Sequence, residues 1–139
     1  MSLPTHLQLH IVSADHPLVN ERVDEVEVPG VEGYLGVLPG HAPLLAALGT
    51  GELWYRQGAD IQYVSLALGF AEVQPDRVTI LAETAEHAHE IDIARAEAAK
   101  TRAEDRLAKA ADFDFARARI ALLKALIRLQ VATRVRIRT

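Results

Sequence analysis

Residues 74–96 read QPDRVTILAETAEHAHEIDIARA and contain the point at which the chain changes its architecture. They include Pro75, the last proline, and all 8 glycines and all 6 prolines of the chain lie at or before it. They end where isoleucine and alanine begin to recur at helical spacing. Because glycine and proline punctuate strands and turns but interrupt helices, the stretch predicts a β-domain before it and a helical domain after it.

Upstream of Pro75 the chain has the pattern of short strands separated by turns. Leu7, Leu9 and Ile11 alternate with polar residues, and so do Val26 and Val28, which gives each segment one apolar face. Further strands are predicted at Leu44 to Leu48, Leu53 to Arg56, Ile61 to Leu66, Ala71 to Val73 and Val78 to Leu81. The spacing favours an antiparallel β-sandwich or barrel.

Downstream, two helices are predicted. Asp92 is expected to cap the first helix, because its carboxylate can accept hydrogen bonds from free N–H groups of the first turn. The segment 112–114 interrupts the apolar pattern, and Asp114 is predicted to cap a second helix that starts at Phe115. A connection this short predicts an antiparallel helical hairpin. The predicted contact stripes are Ile93, Ala96, Ala99, Ala103, Leu107 and Ala110 on the first helix, and Phe115, Ala118, Leu122, Ala125, Leu129 and Ala132 on the second.

The second helix carries more apolar residues than one thin neighbouring helix can cover. The additional residues are Ile120, Leu123, Leu126, Ile127 and Val131. A second burial surface is therefore expected, and the alternatives stay open for it: the β-domain of the same chain, another subunit, or each of these in turn.

The charge of the chain divides at the same place as its pattern. Residues 1–88 contain 3 Arg against 12 acidic residues, whereas residues 89–139 contain 12 basic against 7 acidic residues. Opposite signs indicate two surfaces with different partners. The predicted fold class is therefore α+β, with a β-sandwich domain at 1–88 and a helical hairpin at 89–139.

Composition excludes several classes of protein. A chain of 139 residues has room for one or two small domains, and without cysteine it forms neither disulfides nor thiolate metal sites. It contains no Gly-x-Ser-x-Gly elbow and no Gly-Lys-Ser/Thr phosphate loop, so no catalytic residues are predicted. His87 and His89 are interpreted as part of a polar linker rather than a metal site. With no apolar run of ~20 residues and no signal core, a cytoplasmic protein is expected.

One part of the β-domain resembles the signature region of ATP synthase epsilon subunits. It comprises VEVPG at 26–30 and EGYLGVLPGHAPL at 32–44. The strand around Gly69 to Val73 and the hairpin that begins at Ile91-Asp92 extend the resemblance over the whole chain. The resemblance implies a non-catalytic rotor subunit of a bacterial F-type ATP synthase. Such a subunit couples the proton gradient to ATP synthesis and lies peripherally at the cytoplasmic face of the inner membrane.

The resemblance also implies partners. Its sandwich would bind the gamma subunit and the c-ring, with Leu38 and His41 as candidate contact residues. For His41 itself the favoured interpretation is a hydrogen-bonded structural histidine, because nothing metal-like surrounds it in sequence. The hairpin would either fold down beside the sandwich or extend along gamma. When extended it would reach the alpha and beta catalytic subunits and block ATP hydrolysis, and the basic residues Arg117 and Arg119 suit an acidic target surface.

The segment IDIARA at 91–96 resembles a motif with which some bacterial epsilon subunits bind regulatory ATP. Arg102 lies two turns after Arg95, so both side chains share a helix face and can reach phosphate oxygens. Lys124 stands where the family pattern has arginine, which keeps the charge but loses the planar fork. The implied site comprises Glu86, Ile91, Asp92, Arg95, Ala96, Arg102, Lys124 and Arg128. No cofactor is required. Ordinary ion pairs on the helix surface, such as Glu97 with Lys100, remain the open alternative.

The alternative function is a nucleic-acid binding module that uses the arginine-rich segment 117–138. Basic stretches supply phosphate affinity, but here apolar residues alternate with the arginines, and the acidic β-domain would repel a polyanion. No nucleic-acid partner is therefore expected. A free-standing β-sandwich ligand binder that dimerises through its hairpin is a third possibility.

Overall fold

The computed structural model describes residues 3–109 and 112–138. The chain divides into two compact units, of which one ends at His87 and the other begins at Ala88. The first unit is a β-sandwich, and the second contains two α-helices, which confirms the predicted fold class. No helix among the described residues is long and apolar enough to cross a membrane.

Within the described residues the first unit contains eight strands. They are β1 (Leu7–Ser13), β2 (Pro17–Val23), β3 (Glu25–Gly30), β4 (Gly33–Val37), β5 (Leu44–Leu48), β6 (Gly51–Gln57), β7 (Asp60–Gln74) and β8 (Arg77–His87). The order is β2-β1-β8-β7-β5-β3-β4, and β6 pairs with both β3 and β7. Neighbouring strands are antiparallel except β1 and β8, which run parallel.

β7 organises the sandwich because it pairs with three other strands. Its first part pairs with β6, its second part pairs with β5, and β8 follows it along the other edge. Leu68 lies between the two parts and has a φ of 54°, a backbone conformation that residues other than glycine seldom adopt. The two predicted segments at 61–66 and 71–73 are therefore one strand with an irregular residue in its middle.

The core lies between the two layers and follows the predicted alternation. Leu7, Leu9 and Ile11 on β1 are completely buried, as are Val28 on β3 and Ile80 on β8. Burying an aliphatic side chain of this size contributes about 1.5–3 kcal/mol, so these strands supply much of the stability of the sandwich.

Two strands were not predicted from the sequence. Neither β2 (Pro17–Val23) nor β4 (Gly33–Val37) lies in a segment for which a strand was predicted. Val26 to Gly30 of β3 nevertheless pair with the whole of β4 in register. The partner strand supplies the hydrogen bonds that hold this glycine-containing segment extended, and the segment itself gives no such signal.

In the second unit a 3₁₀ turn (Ala88–Glu90) precedes α1 (Ile93–Lys109) and α2 (Asp112–Arg138). The Arg95 N–H donates a hydrogen bond to Asp92 Oδ1 at 3.1 Å, which confirms Asp92 as the cap of α1. The prediction that Asp114 caps the second helix is wrong, because α2 already begins at Asp112. Asp114 instead lies in the first turn, where a carboxylate is stabilised by the helix dipole.

Small side chains form the contact between the two helices. Ala96 and Ala103 of α1 and Ala118, Ala125 and Ala132 of α2 are all buried. They recur every seven residues, which keeps them on one face of each helix. Ala103 and Ala118 are the same number of residues from the connection between the two helices, and so are Ala96 and Ala125. Ala110 of the predicted stripe lies outside the described residues.

Candidate interaction surfaces

The outer face of the sandwich carries an exposed apolar area. Ala47 on β5 lies opposite Phe70 on β7, and Phe70 lies opposite Leu81 on β8, so the three form one row across the sheet. Phe70 and Leu81 are 57% and 56% exposed, whereas their chain neighbours Ala71 and Ile80 are completely buried. Leu45 is on the same face, two residues before Ala47 along β5. We call Leu45, Ala47, Phe70 and Leu81 the outer patch.

Most of these residues lie in strands that the sequence predicts, but the outer patch itself was not predicted. The signal that points to it is local. Phe70 and Leu81 are each followed two residues later by an exposed glutamate, at Glu72 and Glu83. Each strand therefore has a large apolar side chain next to a charged one on the same exposed face. Their proximity follows from the pairing of β7 with β8, which the sequence alone does not specify.

The predicted contact residues Leu38 and His41 lie in the loop between β4 and β5. The Gly40 N–H donates to the Pro75 carbonyl at 2.7 Å, and the His41 N–H donates to the Leu38 carbonyl at 3.1 Å. The His41 ring bonds through Nδ1 to the Ala42 carbonyl at 2.7 Å. These bonds fix the loop against the turn between β7 and β8, while the Leu38 side chain remains exposed.

The hairpin carries a second exposed apolar area on α2. Phe115, Ile120, Leu123 and Leu126 are all exposed. A shallow groove of about 340 Å³ lies along part of this surface. It is lined by Leu107, Phe115, Arg119, Leu122, Leu123 and Leu126. Arg117 and Arg119 are exposed too, so apolar and basic groups occur together on this helix.

The residues of the implied nucleotide site lie on several elements. Asp92 caps α1 and Arg95 is exposed in its first turn, while Ile91 and Ala96 are buried. Arg102 is exposed two turns further along α1, and Lys124 and Arg128 are half-buried on α2. Glu86 is half-buried on β8 in the first unit.

Helix geometry places the cations Arg95, Lys124 and Arg128 at similar positions along the axis of the hairpin. Arg95 of α1 and position 126 of α2 are the same number of residues from the connection between the helices. Lys124 and Arg128 lie two residues before and after position 126, which places each about 3 Å from the level of Arg95 along the helix axis. Arg102 is about 10 Å nearer the connection. The ion pairs of the described side chains include neither Glu97 with Lys100 nor Asp105 with Lys109.

Comparison with known protein families agrees with this architecture. The family model described as "ATP synthase, Delta/Epsilon chain, beta-sandwich domain" matches residues 6–88. The model described as "ATP synthase, Delta/Epsilon chain, long alpha-helix domain" matches residues 89–133. The chain therefore belongs to the ATP synthase delta/epsilon chain family.

Curated relatives specify the member of the family that this chain is similar to. The ATP synthase epsilon chain of Syntrophobacter fumaroxidans is 50% identical over 127 residues, which are 91% of this chain and 95% of the relative. The ATP synthase epsilon chain of Lawsonia intracellularis is 56% identical over 104 residues, which are 75% of this chain and 78% of the relative. These relatives confirm the resemblance to bacterial epsilon subunits.

A solved structure shows the same fold within an assembled enzyme. A chain in the cryo-EM structure of the Euglena gracilis mitochondrial ATP synthase, comprising OSCP, F1 and c-ring, matches with a TM-score of 0.83. The match is 25% identical and covers 96% of this chain and 84% of that one.

Proposed function

We propose that this chain is a non-catalytic rotor subunit in the central stalk of an F-type ATP synthase and joins the gamma subunit to the c-ring. The outer patch is the observation that carries the proposal. Exposed side chains such as Phe70 and Leu81 are costly for a free domain but become favourable when a partner covers them. Relatives named as ATP synthase epsilon chains support this assembly as the place where the patch is covered.

The fixed loop between β4 and β5 supports a second contact on the same unit. Leu38 is exposed, yet backbone hydrogen bonds at Gly40 and His41 hold the loop in one conformation. A preordered loop loses little entropy when it binds, so it is a suitable contact for the c-ring. In this arrangement the chain lies peripherally at the cytoplasmic face of the bacterial inner membrane.

Co-purification tests the stalk assignment. A tagged chain is expressed with gamma, and in a second experiment with gamma and the detergent-solubilised c-ring. We expect a stable one-to-one complex with gamma that also retains the ring. If the chain binds neither gamma nor the c-ring and instead catalyses a reaction by itself, the proposal is refuted.

The hairpin restrains ATP hydrolysis by binding near the alpha and beta catalytic subunits. Its exposed residues Ile120 and Leu123 offer apolar contact, and Arg117 and Arg119 offer charge for an acidic surface. The alanine contact between α1 and α2 buries little side-chain area. The hairpin can therefore change its packing at a modest cost, as a regulatory element with two arrangements requires.

Hydrolysis measurements test this regulatory part. The catalytic complex is assembled with the full chain, with a chain that ends at residue 90, and with the double variant Arg117→Gln and Arg119→Gln. Truncation is expected to raise the ATPase rate, and the charge variant is expected to raise it partly. Equal rates in all three complexes would leave the hairpin without an inhibitory role.

ATP regulates the hairpin through the cations at its open end. Arg95 is exposed at the start of α1, and Lys124 and Arg128 lie at the same height on α2. Guanidinium and ammonium groups of this kind bind phosphate oxygens, and Arg102 shares the helix face of Arg95. A calorimetric titration with ATP should show saturable binding, whereas heat no larger than that of dilution at millimolar ATP would exclude the site.

A further inference from the structure

Within the described residues, one edge of β5 lacks a neighbouring strand over most of its length. β5 pairs with β7 along its whole length, but on its other side the pairs among these residues are limited to Gly30 of β3 opposite Leu48. The last hydrogen bond on that side joins the Val31 N–H to the Ala47 carbonyl at 3.0 Å. The chain then turns into β4, so within the described residues the first part of β5 has a free edge.

The free edge presents backbone groups that can form hydrogen bonds. The Ala47 carbonyl points away from β7, because it accepts from Val31. In a strand the orientation repeats every two residues, so the N–H and C=O of Leu45 point the same way. Neither group of Leu45 forms a hydrogen bond in the part of the chain that the structure describes.

A groove of about 390 Å³ lies along this edge. Residues 30–35 line one side of it, and Leu44 to Ala47 line the other. Leu45, Val31 and Tyr34 are 70%, 64% and 59% exposed, so the walls are largely apolar. Among the lining residues only Glu32 is charged.

Proteins usually protect such an edge with proline, lysine or a bulge. Pro43 protects the start of this edge, but the sequence of β5 itself is LLAAL, which contains neither proline nor lysine. An apolar edge with free donors and acceptors is therefore suited to receive another strand.

We propose that the β5 edge binds an extended segment of a partner protein, which adds to the sheet as a further strand. Its backbone pairs with Leu45, and its alternate apolar side chains pack against Val31 and Tyr34. A lysine or arginine of the segment lies opposite Glu32. The proposal depends on the sandwich alone and not on the stalk assignment.

Charge favours a basic partner segment over a second copy of this chain. The region 1–88 contains 3 Arg and 12 acidic residues, so two copies paired edge to edge would bring like charges together. A basic segment instead finds Glu32 at the groove and an acidic domain around it.

Hydrogen exchange followed by NMR on the full-length chain tests the proposal. The probe is a capped six-residue peptide that alternates valine with threonine and a central lysine. We expect the amide of Leu45 to exchange rapidly in the free chain and to become protected as peptide is added. A peptide with N-methyl groups on its pairing edge keeps the side chains but loses the donors, and it should give no protection.

Two variants separate backbone pairing from side-chain contact. Leu45→Pro removes the N–H that faces the groove and keeps the donors that pair with β7, so the sandwich should fold and bind the peptide at least about tenfold more weakly. Leu45→Thr keeps the N–H and should retain most of the affinity.

Three results would overturn the proposal. The first is no protection of Leu45 at millimolar peptide, and the second is equal affinity of Leu45→Pro and the unsubstituted chain. The third is protection of Leu45 without peptide, in a chain that sediments as a dimer, which would assign the edge to a second copy.

Discussion

Replacing Phe70 by serine should weaken the binding of gamma between about 10-fold and 100-fold. Phe70 is 57% exposed in the outer patch. An aromatic side chain buries roughly 200 Å² when it is fully covered, so a partner would cover about 110 Å² of it. At about 25 cal/mol per Å² this area corresponds to ~2.8 kcal/mol, or ~100-fold in affinity, and binding realises only part of such a term.

Calorimetric titration of gamma into the chain measures the effect. The matched control is Leu3→Ser, which removes a side chain that is 82% exposed but lies outside the strands. Thermal unfolding of both variants completes the comparison, because substitution of an exposed residue should change the free energy of unfolding by less than about 1 kcal/mol. A difference in binding can then be assigned to the lost contact.

The reasoning is refuted if Phe70→Ser binds gamma as tightly as the unsubstituted chain does. It is also refuted if Leu3→Ser loses as much affinity as Phe70→Ser, since position on the outer face would then not matter.

Three further predictions concern single residues. Asp92→Ala removes the cap of α1 and should lower the stability of the hairpin by about 1 kcal/mol, whereas Asp92→Asn should preserve that stability. Thermal unfolding followed by circular dichroism measures the difference. Equal melting temperatures of the two variants would contradict the capping role. Burial, with a smaller contribution from the charge of Glu21, raises the pKa of Tyr55 from 10.0 to about 12. Because this pKa is higher in the folded state, the contribution of Tyr55 to stability is complete below about pH 10 and is lost as pH rises through 12. Absorbance at alkaline pH should show this late ionisation, and Tyr55→Phe should remove it. Finally, Arg95→Gln should weaken ATP binding, whereas Lys124→Arg should strengthen it because the guanidinium binds phosphate in a bidentate manner; the opposite order in a calorimetric titration would contradict the proposed site.

The sequence predicts strands at β1, β3, β5, β6, β7 and β8, and it misses β2 and β4. β1 and β3 alternate strictly because one of their faces forms the core. β2 has adjacent apolar residues at Leu18 and Val19 followed by polar ones, so it lacks that period. β4 contains two glycines, and its extended conformation depends on pairing with β3, which is a tertiary interaction.

Predictability of the candidate sites shows the same division. The capping role of Asp92 depends on a hydrogen bond to a residue three positions away, and a local pattern is sufficient to predict it. The outer patch depends on the register between Phe70 and Leu81, and the ion pair of Arg56 Nε with Glu25 Oε1 at 2.8 Å joins strands far apart in the chain. Such contacts are determined by how strands pair, and no local pattern specifies them.

Rotation is the most direct test of the proposed rotor function. The chain has no cysteine, so Asp60→Cys at the start of β7 provides a single exposed site for a fluorescent or gold label. The labelled chain is assembled with alpha, beta and gamma subunits fixed to a surface, and ATP is added. The account predicts that the label revolves in step with a probe on gamma. A label that stays still or dissociates while gamma turns would contradict it.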